Sequence, residues 1–410
     1  MPNSARRIAL IYDTALSYDL NVMTGVVAYV RECTGRNIYI EEYALRGQRL
    51  PRLGSWDGDG IIANFDHPMV ARAVLEPELP VVGFGSGCGQ HTSASSAPCF
   101  FTNNKMIASM AADHLLNLGF RHFGYCGYAN TAINSWSEER GKSFASHLQK
   151  RGFLCDVYID RQKTLPHWTG VQISLAKWLS ALPKPVAIMA ANDNRARHVL
   201  EASRSLNLRV PDDVAVIGVG NDELLCQTGR PPLSSVDPGA KRLGYEAAKL
   251  LDGMICGRKP RQRRFVVDPT EVVTRQSTDV VAIDDPIVGK AVSFIQEHAY
   301  ANIKVPKVVE AVAVSRSKLE TRFNKALGYS IHTAIRQVQL ERARKLISST
   351  TLPLKEIAAN VGFQTVQHMT VLFGRTFGRS PGRFRKLQLS PSLSSSFANN
   401  SSEDYSGNGK

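Results

Sequence analysis

Two sets of side chains in the last quarter of the chain are suited to reading nucleic acid. Gln364, Thr365, Gln367, His368 and Arg375 lie together around one short amphipathic pattern, and Arg316, Ser317, Lys318 and Arg322 do the same earlier in the chain. Amides, hydroxyls and imidazoles hydrogen-bond base edges, while arginine and lysine neutralise phosphates. A third group stands in loops. Tyr18-Asp19, Gly83 to Gly89, Asn192-Asp193 and Gly218 to Glu223 each follow a β-branched run. Carboxylates and amides at such places either cap the next helix or bind a polar ligand, and their shared position leaves both readings open. The glycines of residues 83–89 are spaced loosely like a phosphate cradle, but the lysine of a P-loop is missing and no dinucleotide-type helix follows.

The first polar set needs a helix, a turn and a second helix to present it. Ile357, Ala358 and Val361 form one stripe and Gly362 supplies a turn. Val366, Met369, Phe373 and Phe377 then recur at spacings of three and four, which turns the polar residues to another face. The segment from Val305 through Ala313-Val-Ser315 to Gly328 repeats that order of short helix, turn and basic helix. Between the copies, residues 331–347 are apolar at Ile335, Val338, Leu340, Ala343, Leu346 and Ile347, a pattern for a rigid connecting helix. One such unit is as often an ordinary helix pair with a solvated face. Two in succession favour a DNA reader.

Charge supports this. The chain of 410 residues carries a net +14, and residues 286–389 hold 17 Lys and Arg against 5 Asp and Glu, a net +12. The basic excess sits on the segment that would replace phosphate counterions. A length of 410 exceeds one core, and 43% apolar residues is a globular fraction. No apolar run is long enough to span a membrane, and the apolar stretch after Arg7 is too short for a signal peptide, so a cytoplasmic address is expected. The seven cysteines are scattered without C-x-x-C spacing and read as reduced thiols; no metal and no cofactor is expected.

From Ala5 to about Val273 short strand patterns alternate with helical ones, beginning Ile8–Tyr12 then Leu20–Arg31. This many strands argues two parallel sheets, each covered by helices on both faces. The expected fold is therefore an α/β sensor of two doubly wound parallel-sheet lobes plus an all-α C-terminal domain with two helix-turn-helix units. The expected divisions are a sensor at 1–277, a linker at 278–286, a DNA-binding domain at 287–389 and a disordered, Ser- and Asn-rich tail at 390–410.

The run Ile357, Ala358, Gly362, Phe363, Phe373, Arg375, Phe377, Gly378, Ser380, Pro381, Phe384 and Arg385 resembles the AraC/XylS family of transcription regulators. Gln367 stands where that family commonly has serine and Met369 where it has phenylalanine; each keeps the polar or apolar character. Leu118-Gly-Phe with His122, Arg140 with Phe144, Trp168, Ala191-Asn-Asp193, residues 210–218 and residues 232–236 resemble the sugar-sensing domain of LacI/GalR regulators and, behind them, periplasmic sugar-binding proteins. Over residues 6–388 the chain is similar to bacterial regulators of pentose operons that join both modules, most closely at Asp193–His198, Ala248–Leu251, Ser315–Glu320 and Ser349–Leu352.

That resemblance implies a small sugar effector, a pentose such as xylose, with hydroxyls held by Arg140, Asn192, Asp193 and Arg195. Asp19 is the matching strand-end carboxylate near the start, and Trp168 would pack on the C–H face of the sugar. The family aspartate after the strand Ala215–Val219 is replaced by Gly220. Asp222 is the candidate substitute, and restoring a carboxylate by Gly220→Asp is expected to tighten xylose binding. The implied protein is a DNA-binding activator of pentose genes, a homodimer on double-stranded DNA that can engage RNA polymerase, and not an enzyme. The competing reading is a solute-binding or sugar-modifying protein with an incidental helical domain. It would need a signal peptide or a nucleophile or acid–base pair, and neither is visible.

Overall fold

The computed structural model describes residues 6–13, 16–33, 36–43, 56–74, 79–85, 97–131, 133–160, 168–279 and 285–389. The chain forms two compact units, one ending at Val338 and the other beginning at Gln339. The first opens with β1 (Arg6–Asp13), α1 (Ser17–Glu32), β2 (Arg36–Tyr43), β3 (Gly60–Asn64), α2 (Pro68–Ala73), β4 (Val81–Gly85) and β5 (Cys99–Thr102). It continues with α3 (Asn104–Asn117), β6 (His122–Tyr128), α4 (Ser135–Gln149), β7 (Cys155–Asp160), α5 (Trp168–Ala181) and β8 (Val186–Ala190). Then come α6 (Asp193–Ser205), β9 (Val214–Val219), α7 (Glu223–Thr228), β10 (Ser234–Asp237), α8 (Ala240–Ile255), β11 (Arg264–Val267) and β12 (Glu271–Val273).

These strands make the two expected sheets. One has the order β11-β5-β4-β3-β1-β2 and is parallel throughout; the other has the order β12-β10-β9-β8-β6-β7, with only β12 antiparallel to its neighbour. The chain crosses between sheets after β5, after β10 and after β11. Central strands such as Val186–Ala190 and Val214–Val219 are buried at every residue, which is why they read as unbroken apolar runs. Helix α8 returns to the first sheet, where Leu243, Ala247 and Leu251 share a core with Ile8, Leu10, Val22 and Val26. The α1–α8 contact is backbone to backbone: a Cβ on Gly25 would sit 1.8 Å from the Lys241 carbonyl oxygen, and one on Gly244 1.9 Å from that of Val22. Any side chain there would force the helices apart.

Strands β5, β10 and β12 and helices α2 and α7 were not expected. Cys-Phe-Phe-Thr, Ser-Ser-Val-Asp and Glu-Val-Val are too short to show a period. At the far end of the α/β part, residues 276–278 form one 3-10 turn packed on the second sheet. There Ser277 Oγ donates to the Val216 carbonyl (2.6 Å) and Thr278 is buried against Ser234. Residues 280–284 of the predicted linker, the predicted tail at 390–410 and residues 86–89 of the glycine-rich loop lie outside the described residues.

The helical part of the first unit is α9 (Pro286–His298), α10 (Val305–Val312), α11 (Arg316–Leu327) and the first half of α12 (Ile331–Ser349). Val288, Ala291, Ile295, Val308, Leu319, Phe323, Ile331 and Ile335 form its core. In the second unit α13 (Leu354–Asn360), α14 (Val366–Phe377) and α15 (Pro381–Leu389) pack with the rest of α12 around Leu340, Ala343, Ile357, Val361, Met369 and Phe373. At 19 residues α12 is about 28 Å of continuous helix. Its apolar positions are divided between the two cores, as the connector pattern required.

Candidate functional site

Each functional candidate in the α/β part sits where a parallel strand ends and a helix begins. Asn192 ends the loop after β8 and caps α6: its side-chain oxygen accepts from Arg195 N (2.9 Å) and from Tyr128 Oη (3.0 Å). Asp193, the first residue of α6, accepts from Ser235 Oγ (2.6 Å) and from Asp222 N (2.9 Å). Asp222 in turn caps α7, accepting from Leu225 N (3.0 Å). Arg195 lies over the Tyr128 ring, 4.2 Å from its centroid, and Arg140 over the Trp136 ring at 4.9 Å. Arg140 donates to the Ala191 carbonyl and, through Nη2 and Nε, to Asn104 Oδ1 (2.8 and 3.2 Å). Arg140, Asn192, Asp193, Arg195 and Asp222 thus meet at the carboxyl ends of β6, β8 and β9. The capping reading holds for Asn192 and Asp222, each of which gives a side-chain oxygen to a helix N-terminus.

Asp19 belongs to the other sheet. Its carboxylate accepts from Asp13 N (2.8 Å) and from Asn64 Nδ2 (3.0 and 2.9 Å) at the ends of β1 and β3. Its neighbour Tyr18 is close enough to Arg140 to act electrostatically on that guanidinium. Burial dominates at Asp19, Asp193 and Arg140. It pushes Asp19 from 3.8 up to about 7, opposed by the Asn64 and Asp13 hydrogen bonds, and Asp193 up to about 6, opposed by Ser235 and Asp222. Burial also holds Arg140 below the ordinary arginine value, opposed by Tyr125, Tyr18, Glu139 and Asp193.

Gly220 changes one expectation. Its φ is +132°, a conformation that L side chains rarely adopt, and a Cβ there would stand 3.0 Å from Asp193 Oδ2. An aspartate at 220 would therefore strain the loop and set a second carboxylate against Asp193. Gly220→Asp is not a simple restoration of a sugar ligand. Gly218 is likewise required, since its Cβ would lie 2.2 Å from Asp193 Oδ1. Trp168 opens α5, but its side chain lies outside the described residues. Sequence reasoning passed over Asn104, Tyr128, Trp136, Asn64 and Ser235, which position the charged groups. Asn104 follows a strand too short to recognise, and the others carry no spacing signal of their own.

The reading helices are built as the repeat implied. Ala313 (φ +54°) and Gly362 (φ +84°) make the left-handed turns, and Ser315 and Thr365 occupy the N-cap positions of α11 and α14. Thr365 Oγ1 accepts from His368 N (3.2 Å). Gln364, Thr365, Gln367, His368 and Arg375 are exposed, opposite buried Met369 and Phe373. On α11, Arg316, Ser317 and Lys318 are exposed, with Arg316 paired to Glu320 (2.8 Å). Arg322 differs. It is half-buried and makes two hydrogen bonds to Asp285, the N-cap of α9, at 2.5 and 2.8 Å. That pair fixes α9 against α11.

A two-sheet α/β domain with buried charges at its strand ends, followed by doubled helix-turn-helix units, defines a ligand-sensing transcription regulator. Family models agree: an XylR N-terminal domain matches residues 7–105, a periplasmic binding protein-like domain residues 112–278, and a helix-turn-helix domain residues 308–387. The chain is 35% identical over 384 residues to the xylose operon regulatory protein of Escherichia coli (strain K12), covering 93% of this chain and 97% of that one. It is 31% identical over 381 residues to the protein of the same name from Haemophilus influenzae, covering 92% and 98%. A solved structure of the xylose-binding transcription activator xylR aligns with a TM-score of 0.62 at 33% identity, over 95% of this chain and all of that one. The chain belongs to the family of xylose operon regulatory proteins.

Proposed function

We propose that xylose or a closely related pentose is the effector, and that it binds among Asp19, Arg140, Asn192, Asp193, Arg195 and Asp222 with Trp168 as its stacking face. One observation carries this. Asp19, Arg140, Asp193 and Arg195 are each no more than 3% exposed, although burying an ion costs several kcal/mol unless partners replace its water. Planar carboxylates and guanidinia are what adjacent sugar hydroxyls pair with, and such a ligand repays the burial. The chain acts by binding and not by turnover, as befits a chain whose relatives are named as regulators.

With residues 1–277 as sensor and 287–389 as reader, the bound sugar draws the two lobes together and changes how a homodimer presents α11 and α14 to double-stranded DNA. Arg316, Ser317, Lys318, Gln364, Thr365, Gln367 and His368 stand at or near the N-terminal turns of these helices, the part that enters a groove. Arg375 faces phosphate. Arg322 supports α11 through Asp285 and acts on DNA by that route. As an activator in the cytoplasm the protein engages RNA polymerase once seated. No helix among the described residues is long and apolar enough to cross a membrane.

Calorimetry with xylose, arabinose, ribose and glucose tests the effector. Saturable heat with xylose, lost in Arg140→Met, is the predicted result; no heat with any pentose would remove the proposal.

A further inference from the structure

The exposed side of α11 faces a second basic wall. Ser317, Lys318, Thr321 and Lys325 line one side of a depression of about 1100 Å³, and Arg121, His122 and Lys184 of the α/β domain line the other. The sign of the charge is one-sided. Asp285 is the single acidic residue in the lining, and it is already bound by Arg322 through two hydrogen bonds. The depression is also open: Arg121, His122, Ser317, Lys318, Thr321 and Lys325 are all exposed. Its size and openness suit a polyanion lying across it better than a small ion held within it.

Two contacts fix the wall. Arg121 Nη2 donates to the Lys325 carbonyl (3.1 Å) in the last turn of α11, where a cation also meets the negative end of the helix dipole. Lys184 Nζ donates to the carbonyls of Leu179 and Leu182 (2.6 and 2.7 Å), which anchors its charge beside the depression. The contact with α11 is at its C-terminal end. The N-terminal turn with Ser317 and Lys318, the part that would approach bases, stays open toward the same trough.

We propose that the sensor is itself part of the DNA interface: Arg121, with His122 and Lys184 beside it, contacts the phosphates that flank the base pairs reached by α11. The proposal rests on the reading of α11 as a DNA reader. Phosphate contacts carry no sequence information, but they fix register. They would also tie the sensor wall directly to the bound duplex, so that a change in the sensor is felt at the DNA without passing through the linker alone.

The experiment is a salt titration of the full-length protein on a mixed-sequence duplex several helical turns long, where binding is electrostatic. The slope of log affinity against log salt shrinks by about 0.9 for each phosphate contact removed. Arg121→Gln is predicted to lower that slope by about 0.9, and His122→Glu to weaken binding, both with xylose heats unchanged. Arg204→Gln, an exposed sensor arginine paired to Glu201 and outside the depression, is predicted to leave the slope as it was. Wild-type affinity and slope in both trough variants overturn the proposal. So does tighter DNA binding by Arg121→Gln, which would mean that the Arg121–Lys325 contact holds α11 away from DNA. A wild-type chain with no salt-dependent binding would instead remove the reader assignment, and this proposal with it.

Discussion

Asp193→Asn separates what a buried carboxylate costs the fold from what it does for a ligand. The Asp193 carboxyl is 2% exposed, and burial raises it from 3.8 to about 6. Between about pH 4 and pH 6 the folded chain therefore holds a proton that the unfolded chain has released. Stability must fall as pH rises through that window, by about 1.4 kcal/mol per unit, or roughly 3 kcal/mol in all. An amide is neutral throughout. Its oxygen can still accept from Asp222 N, and its NH2 can donate to Ser235 Oγ, so both present contacts have replacements. The sugar-free variant should be more stable than wild type near pH 7.5 by up to about 3 kcal/mol, with the gap closing toward pH 4. Asp19 and Glu246, each raised to about 7 by burial, add pH dependence of the same sign, and His67, lowered by burial, adds the opposite. Urea unfolding followed by tryptophan fluorescence reads this directly, because Trp56, Trp136, Trp168 and Trp178 all lie in the α/β part. Xylose affinity should move the other way: losing a charged hydrogen bond of about 1.5–3 kcal/mol weakens binding roughly ten- to a hundredfold. A variant less stable than wild type at neutral pH, or one that binds xylose as well, would refute the reasoning.

Gly220→Ala and Gly220→Asp should each destabilise the sensor by about 1–3 kcal/mol through the positive φ, and the aspartate should not strengthen xylose binding. Tighter calorimetric binding by Gly220→Asp would show that the loop relaxes to accept it. On the reader, Gln367→Ala should change preference at one site position by about 1–3 kcal/mol, whereas Arg375→Ala should weaken all sequences about equally. Selection from a site library distinguishes the two, and identical profiles would contradict the division of roles.

The helical part was legible because its signals are local. The stripe of Met369 and Phe373, the turn at Gly362 and the repeat at 305–328 are all set within a few residues, and these elements formed where the spacing placed them, whereas α9 and α15 were not expected. The long strands were equally clear, since a strand buried on both faces must be apolar throughout. Edges were not. β5, β10 and β12 have three or four residues each and owe their place to neighbours distant in sequence, such as Cys99–Thr102 paired with Arg264–Val267. The candidate cluster was half legible. Asn192 and Asp193 announce themselves after a strand, but no spacing could tell that Tyr128 would brace Asn192, or that Asn104 would hold Arg140 across 36 positions. The role of Gly220 depended on a backbone angle, which residue types alone do not disclose.

A sugar bound in the sensor is expected to alter DNA binding by the helical readers. The most direct measurement is the affinity of the full-length protein for promoter DNA of a xylose operon, by fluorescence anisotropy at fixed salt, without xylose and with xylose at saturation. The expected result is a shift of about 5- to 150-fold, the usual range for coupled sites, with the same factor appearing in xylose affinity when DNA is bound. Equal DNA affinities under conditions where calorimetry shows the sugar site filled would contradict it.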